Sequence, residues 1–359
     1  MIIFYDHQIF SWQNVGGISR YFSELQKHFS KIKEVQVINS TFLTSNLYLS
    51  DLSLQGVYSV PGIYIPGKVP LIKLINQLFS IFKLKKSSYD IFHPTYYNNY
   101  FLNYLGKKPL VITVYDMIHE LFPQDFPGDK TSVTKKAILS RASHIIAISS
   151  STKNDLVKLF KTDPSKISVI PLASSLNPNL AKSISLPASY LLYVGDRGKY
   201  KNFTSLIKIS SQLFSSNKDL HIICVGGGIF SKSEIKLMGN NSPRFKQYSM
   251  SDEELVYAYK NAECLVITSL YEGFGLPMVE AMQCGCPVVS SNSASLLEVG
   301  GAAVLYFDPT DSKSMLKQIR NVLSKKEIRL SLIKLGLRRS KKYSWEKASK
   351  QTLEVYRKI

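Results

Sequence analysis

The chain has 359 residues, 45% of them hydrophobic and 20% charged, enough for two separately cored domains and too apolar for a disordered chain. Its formal charge of +19 calls for an acidic partner, but no RNP pattern, zinc spacing or arginine-rich arm accompanies it, which sets nucleic acid aside. Cys224, Cys264, Cys284 and Cys286 lack C-x-x-C spacing and read as reduced cytosolic thiols, while no leader and no spanning run of about 18 apolar residues is evident.

Met1 to Tyr5 reads as a buried strand. Asp6, His7 and Gln8 follow, then Gly16-Gly17, then a helix from Ile18 to Phe29 with its apolar residues on one face. Strand, glycine turn and helix form a phosphate-cradle layout without the full G-x-G-x-x-G spacing. Val35 to Ile38 is a second strand, and Ser, Gly and Pro mark 40–67 as loop. Pro70 to Lys86 is a helix with a wide apolar face and basic flanks. Two readings stand: a core helix with a solvated end, or one lying on an anionic membrane surface.

Strands at Tyr89–Phe92, Leu110–Val114 and Ile145–Ile148 each run into polar residues. His93 follows the first, and Tyr115, Asp116 and His119 follow the second. In open α/β sheets ligands sit past the carboxyl ends of strands. A second series begins at Tyr190–Val194, which runs into Gly195, Arg197 and Lys201. His221–Val225 ends in Gly226, Gly227 and Gly228, and Ser251 with Glu254 forms a capping box. The apolar run Cys264–Ile267 leads into SLYEGFGLPMVEAMQCGCP, where Pro277 opens a helix and Glu272 and Glu280 flank the glycine turn. Strands alternating with helices give an α/β fold with parallel sheets, in two Rossmann-like doubly wound halves.

Arg197 and Lys201 suit a diphosphate, whose charge must be neutralised where water is partly excluded. Glu280 suits the paired hydroxyls of a ribose and Glu272 those of a second ring. Together they ask for a nucleotide diphosphate sugar.

The spacing of Glu272 and Glu280 in YEGFGLPMVEAM resembles the E-x7-E motif of retaining glycosyltransferases of the GT-B fold, family 4. The opening YDHQIFSWQNVGGISRYFSEL, then FHPTYY, VYDMIHELFP, YLLYVGDRGKYKN and the closing WEKASKQTLEVY extend the resemblance over nearly the whole chain. It is similar to the branch that adds mannose in bacterial O-antigen, capsule or exopolysaccharide synthesis. The resemblance implies two domains facing across a cleft: an acceptor domain over 1–180 and a nucleotide-sugar domain over 181–343. Residues 344–359 would form a helix packing back on the first domain.

By the same resemblance, Gly16 and Gly17 would approach the donor phosphates. In the second domain Gly195 is a further donor-binding candidate, and Gly226 to Gly228 are either a plain strand-end turn or, with Gly226 and Gly227 as binding residues, room for the nucleotide base or ribose. Arg197 and Lys201 would bind the diphosphate and stabilise the leaving nucleotide. The amides of Phe274, Gly275 and Leu276 would hold sugar or phosphate, Glu280 the ribose and Glu272 the donor sugar. No metal or other cofactor is implied. The chain departs from the family at Tyr115, where a histidine is common, leaving Asp116 and His119 as polar candidates beside it.

The expected function is transfer of a hexose, from GDP-mannose before a UDP-sugar, to a lipid-linked oligosaccharide. The enzyme would be cytoplasmic, on the inner face of the cytoplasmic membrane, with the 68–86 helix on anionic lipid. A sugar phosphorylase or epimerase is the rival of like architecture.

Overall fold

The computed structural model describes residues 1–52, 56–60 and 68–359. The chain divides into two compact units, Met1–Leu172 with Trp345–Ile359, and Ala173–Ser344. The first boundary falls before residue 180, because 173–182 is tied to the second unit. Gln283 Nε2 donates to Leu176 O at 3.1 Å, and Lys182 N to Glu253 O at 3.0 Å.

In unit 1 the strands are β1 (Ile2–Tyr5), β2 (Gln36–Asn39), β3 (Ile91–His93), β4 (Val111–Val114), β5 (His144–Ala147) and β6 (Ile167–Val169). Two parallel sheets, β2-β1-β3 and β4-β5-β6, are joined by a parallel bridge between Phe92 and Leu110. The inner strands β1, β3, β4 and β5 are the near-continuous apolar, buried runs of parallel sheets, while β2 and β6 at the edges are only half-buried. The helices that matter for the sites are α1 (Gly17–Phe29), α2 (Lys68–Lys86) and α3 (Thr131–Arg141). The closing helix, Trp345–Arg357, belongs to this unit. Tyr356 brings its hydroxyl to Tyr5 Oη (3.1 Å) and His93 Nδ1 (2.6 Å).

The expectation of plain loop over 40–67 is corrected for its described part. Leu43–Thr44 pairs with Tyr58–Ser59, and Leu47–Asp51 forms a short helix capped by Asn46, whose side chain accepts Leu49 N–H. The cause lies in α2. Buried Asn76 accepts from Phe42 N and Leu43 N at 3.0 and 2.8 Å and donates to Leu43 O and Ser11 Oγ, both at 2.7 Å. Residues 53–55 and 61–67 of that expected loop lie outside the described residues.

Helix α2 buries only the stripe Ile72, Asn76, Ser80 and Leu84. Leu71, Leu74, Leu78 and Phe82 lie on the opposite side, each more than half exposed. Among the described residues no helix is long and apolar enough to cross a membrane.

Unit 2 holds β7 (Ser189–Val194), β8 (Leu220–Val225), β9 (Phe245–Tyr248), β10 (Cys264–Ile267), β11 (Val288–Ser291) and β12 (Leu305–Phe307). They form one parallel sheet in the order β9-β8-β7-β10-β11-β12. The order reverses between β7 and β10. At such a switch point two crossovers leave in opposite directions and open a crevice at the carboxyl edge. Helices α4 (Lys232–Met238), α5 (Asp252–Asn261) and α6 (Leu276–Gln283) carry Glu234, Tyr259 and Glu280. The four cysteines are free and buried, and burial pushes the Cys224 and Cys284 thiols up to about 12.

Burial also depresses His93 and His7, each to about 3. An unfolded imidazole takes its proton near pH 6.5. Between those values the unfolded chain holds protons the folded chain refuses, so each histidine makes stability fall as pH drops below 6.5. Trp12 and Trp345, the two tryptophans, both report on unit 1. Urea unfolding followed by their fluorescence at pH 5 to 6 is expected to show a pH slope about one proton shallower in His93→Asn than in wild type.

Candidate active site

The site in unit 2 is built from the two loops at the switch point. β7 ends in Gly195, at φ +119°, and the loop runs through a helical turn to Lys201 and left-handed Asn202. β10 ends in Thr268 and Ser269, both buried. The loops are laced together. Thr268 Oγ1 donates to Lys201 O at 2.6 Å, and Leu270 N to Tyr200 O at 2.8 Å. Lys201 Nζ lies 2.7 Å from Glu272 Oε1, which also accepts from Ser269 Oγ at 2.7 Å. Glu272 Oε2 has no partner among the described residues.

Gly275 then caps α6 at φ +94°, and a Cβ there would meet Leu296 Cδ2 at 2.4 Å. Glycine is required on both counts. Leu276 and Pro277 open the helix, which places Glu280 within it. Glu280 is buried, and Tyr259 of α5 donates to its Oε2 at 3.0 Å. Phe274 is buried too, edge-on to Tyr343 at 5.5 Å, so its side chain serves packing.

Arg197 is placed differently from the expected open diphosphate ligand. Its Nε donates to Glu234 Oε1 (2.8 Å), Nη1 to Gly226 O (3.0 Å), and Nη2 to the carbonyls of Gly227, Gly228 and Ile229. Three consecutive glycines at positive φ turn those carbonyls toward it. A Cβ on Gly227 would sit 2.7 Å from Nη1. In this structure the guanidinium clasps the turn after β8, and Phe230 stacks on it at 4.7 Å. Burial opposes the charge of Glu234, but its bonds to Ser231 and Arg197 hold its carboxyl below the usual range.

In unit 1, Gly16 is extended and leads into α1, where Gly17 is the first residue. The amide of Ser19 donates to Gln13 Oε1 at 3.2 Å, and Gln13 packs where a Cβ on Gly16 would stand. Tyr115 is buried, its amide donating to Tyr97 Oη at 3.0 Å, while its own hydroxyl has no partner among the described residues. Burial, and then neighbouring tyrosines, push its pKa far up, so it cannot ionise near neutrality. Asp116 accepts from Ile118 N at 3.1 Å. His119 stacks on Phe126 at 4.4 Å and stands 4.0 Å from Asp129.

Sequence reasoning missed Asp6, Lys135 and Tyr259. Asp6 is fully buried, accepting from Thr95 N and Oγ1, both at 2.8 Å, and from Gln8 Nε2 at 2.7 Å. Its signal was its place directly after β1. Lys135, also fully buried, pairs with Glu120 at 2.9 Å and donates to Asp116 O at 3.0 Å. It stands beside Lys136 in α3, and nothing local tells which of the two turns inward.

Two tandem units built on parallel sheets give the architecture of a GT-B glycosyltransferase. Residues 15–173 match the family described as Glycosyltransferase Family 4, and residues 181–339 match Glycosyl transferases group 1. The O-antigen chain mannosyltransferase B of Escherichia coli is 30% identical over 266 residues, 69% of this chain and 70% of that protein. The O-antigen chain mannosyltransferase RfbU of Salmonella typhimurium is 30% identical over 235 residues, 60% of this chain and 65% of its own length. The Anabaena protein Alr3699/HepE, solved with UDP and glucose, superposes with a TM-score of 0.71 over 100% of this chain and 99% of its own, at 17% identity, which is a likeness of fold. The chain belongs to glycosyltransferase family 4.

Gly275→Ala is expected to cost about 1–3 kcal/mol in urea unfolding, because it combines a strained φ with overpacking against Leu296. A variant as stable as wild type would show that the turn relaxes freely.

Proposed function

We propose that this chain transfers a mannosyl residue, with retention, from GDP-mannose to a glycan growing on a lipid carrier, without a metal ion. The sugar assignment is supported by the mannosyltransferases among its relatives. The observation that carries the donor reading is the Lys201–Glu272 pair at the switch point. An ammonium has three N–H donors, and Glu272 occupies one. A donor phosphate oxygen can take another, while Glu272 Oε2 can accept from a sugar hydroxyl. The bond from C1 to the diphosphate breaks, a bond to the acceptor oxygen forms on the same face, and the acceptor proton leaves with the diphosphate. Lys201 stabilises the charge that develops there. Glu280, buried and held by Tyr259, would accept from the ribose.

The acceptor's lipid has a matching surface. Leu71, Leu74, Leu78 and Phe82 form an exposed apolar stripe on α2, with Lys73, Lys85 and Lys86 also exposed. Such a helix lies in the interface of an anionic bilayer, each cation adding about 1 kcal/mol. This would place the enzyme on the inner face of the cytoplasmic membrane.

A panel of nucleotide sugars with a lipid-linked acceptor, read by mass spectrometry in the presence of EDTA, tests the assignment. A hexose added from GDP-mannose is expected, and addition from UDP-sugars alone would overturn it. Lys201→Met is expected to lower kcat about 10²–10³-fold, and undiminished transfer by Glu272→Ala would remove that residue from the site. In vesicle co-sedimentation, Leu74→Glu with Leu78→Glu is expected to abolish binding to phosphatidylglycerol vesicles while leaving the protein folded.

A further inference from the structure

Unit 1 has a switch point of its own, between β1 and β3, whose connections leave in opposite directions. A cavity of about 260 Å³ lies there, lined from the loop after β1 by His7 and Trp12, from the loop after β3 by Tyr96, from α2 by Lys73 and Gln77, and by Asp129. It belongs wholly to this unit.

Three features define its chemistry. First, Trp12 is 52% exposed, yet is held edge-on to Tyr96 at 5.0 Å, with the Lys73 ammonium 5.8 Å from its ring. A large aromatic kept in water at a cavity mouth, rather than folded into the core, is a platform for an apolar ring face. Second, His7 is 4% exposed, and its Nε2 has no hydrogen-bond partner among the described residues. Its Nδ1 is tied to Ser11 Oγ at 2.9 Å, and Asn76 fixes that hydroxyl from α2 at 2.7 Å. The ring is thus oriented with one nitrogen satisfied and one left over. Third, in a chain of charge +19 the cavity walls carry one lysine and one aspartate whose charges offset. The balance disfavours a phosphate and suits a neutral ligand with several hydroxyls. The volume lies below the roughly 300–1,000 Å³ of drug-sized sites, which suits a single ring.

We propose that this cavity binds one neutral hexose ring of the acceptor glycan, stacked on Trp12, with its hydroxyls bonded to His7 Nε2, Gln77 and Asp129. The assignment to the acceptor rests on the glycosyl-transfer reading; the ring's chemistry does not. Helix α2 joins the two. It lines the cavity with Lys73 and Gln77 and carries the exposed stripe through Leu74 and Leu78, so a glycan anchored in lipid would meet the cavity beside its own membrane surface.

The test is a titration of full-length protein, saturated with GDP, with methyl α-mannoside, α-linked mannobiose and mannose 6-phosphate, read by tryptophan fluorescence. Trp345 is buried and does not line the cavity, and a Trp345→Phe background assigns the saturable change to Trp12. The neutral sugars are expected to give one, weakened about tenfold in Asp129→Asn and in Gln77→Leu. Trp12→Ala, read by calorimetry, is expected to lose binding. In transfer assays these variants are expected to raise the KM for acceptor about tenfold and its ratio to the KM for donor with it. No saturable change with either neutral sugar, a response to the phosphorylated sugar alone, or variants that shift both KM values together would overturn the proposal. An enzyme that moves no sugar in the donor panel, yet binds mannobiose at Trp12, would refute the acceptor assignment and leave the ring site standing.

Discussion

An ammonium and a carboxylate 2.7 Å apart hold the two loops of the second unit's candidate site together. Lys201 and Glu272 are each only partly exposed, so each alone would be a charge stripped of much of its water. Together they make the loops after β7 and β10 one body, braced by Thr268 and Ser269. The pair does little for net stability, since the cost of desolvating both charges offsets their attraction. What it provides is preorganisation, two opposite charges fixed where the strand order reverses. A parallel sheet makes this possible because every strand ends at the same edge, so residues 71 positions apart in sequence become neighbours.

The first unit solves the same geometric problem without an ion pair. Asp6 stands directly after β1 and gathers Thr95 and Gln8, and through Gln8 Nε2 the backbone of Asn98. These bonds tie the loop after β1 to the loop after β3. Burial pushes the Asp6 carboxyl up, and the hydrogen bonds pull it back only partly. One unit therefore presents charge at its switch point and the other a hydrogen-bonded floor.

The alternation of strands and helices was legible because parallel strands are short apolar runs ended by polar loops. The capping box of Ser251 and Glu254 appears at its own positions, since caps are local chemistry. Arg197 was legible as a cation on the right loop, but not in its direction. Its inward turn depends on carbonyls freed by three glycines some thirty residues later, and no local pattern encodes that. Helix α2 was ambiguous for a different reason. Apolar residues lie on both of its sides, so periodicity cannot say which side faces the protein. The buried side is decided by Asn76 and Ser80, polar residues that satisfy the backbone at 42–43 and the hydroxyls of Ser40 and Tyr100.

Tyr115 is where family resemblance and structure together are most informative. The position commonly holds a histidine, whose imidazole could donate and accept at the strand end. Here the phenol is packed against Tyr21 and Tyr97, at 6.0 and 6.2 Å, and its hydroxyl has no partner among the described residues. An unsatisfied buried hydroxyl costs about 1–3 kcal/mol, which the aromatic contacts must offset. A group that cannot ionise near neutrality and is buried against other rings is poorly placed for proton transfer. The residues after it are held instead by Lys135, whose fully buried ammonium binds Asp116 O and Glu120 and lies over Tyr97 at 4.8 Å. That brace fixes the short helix carrying His119, which lines the same cavity as Trp12 and His7. An imidazole absent from the strand end thus stands one turn further on, in the wall of that cavity.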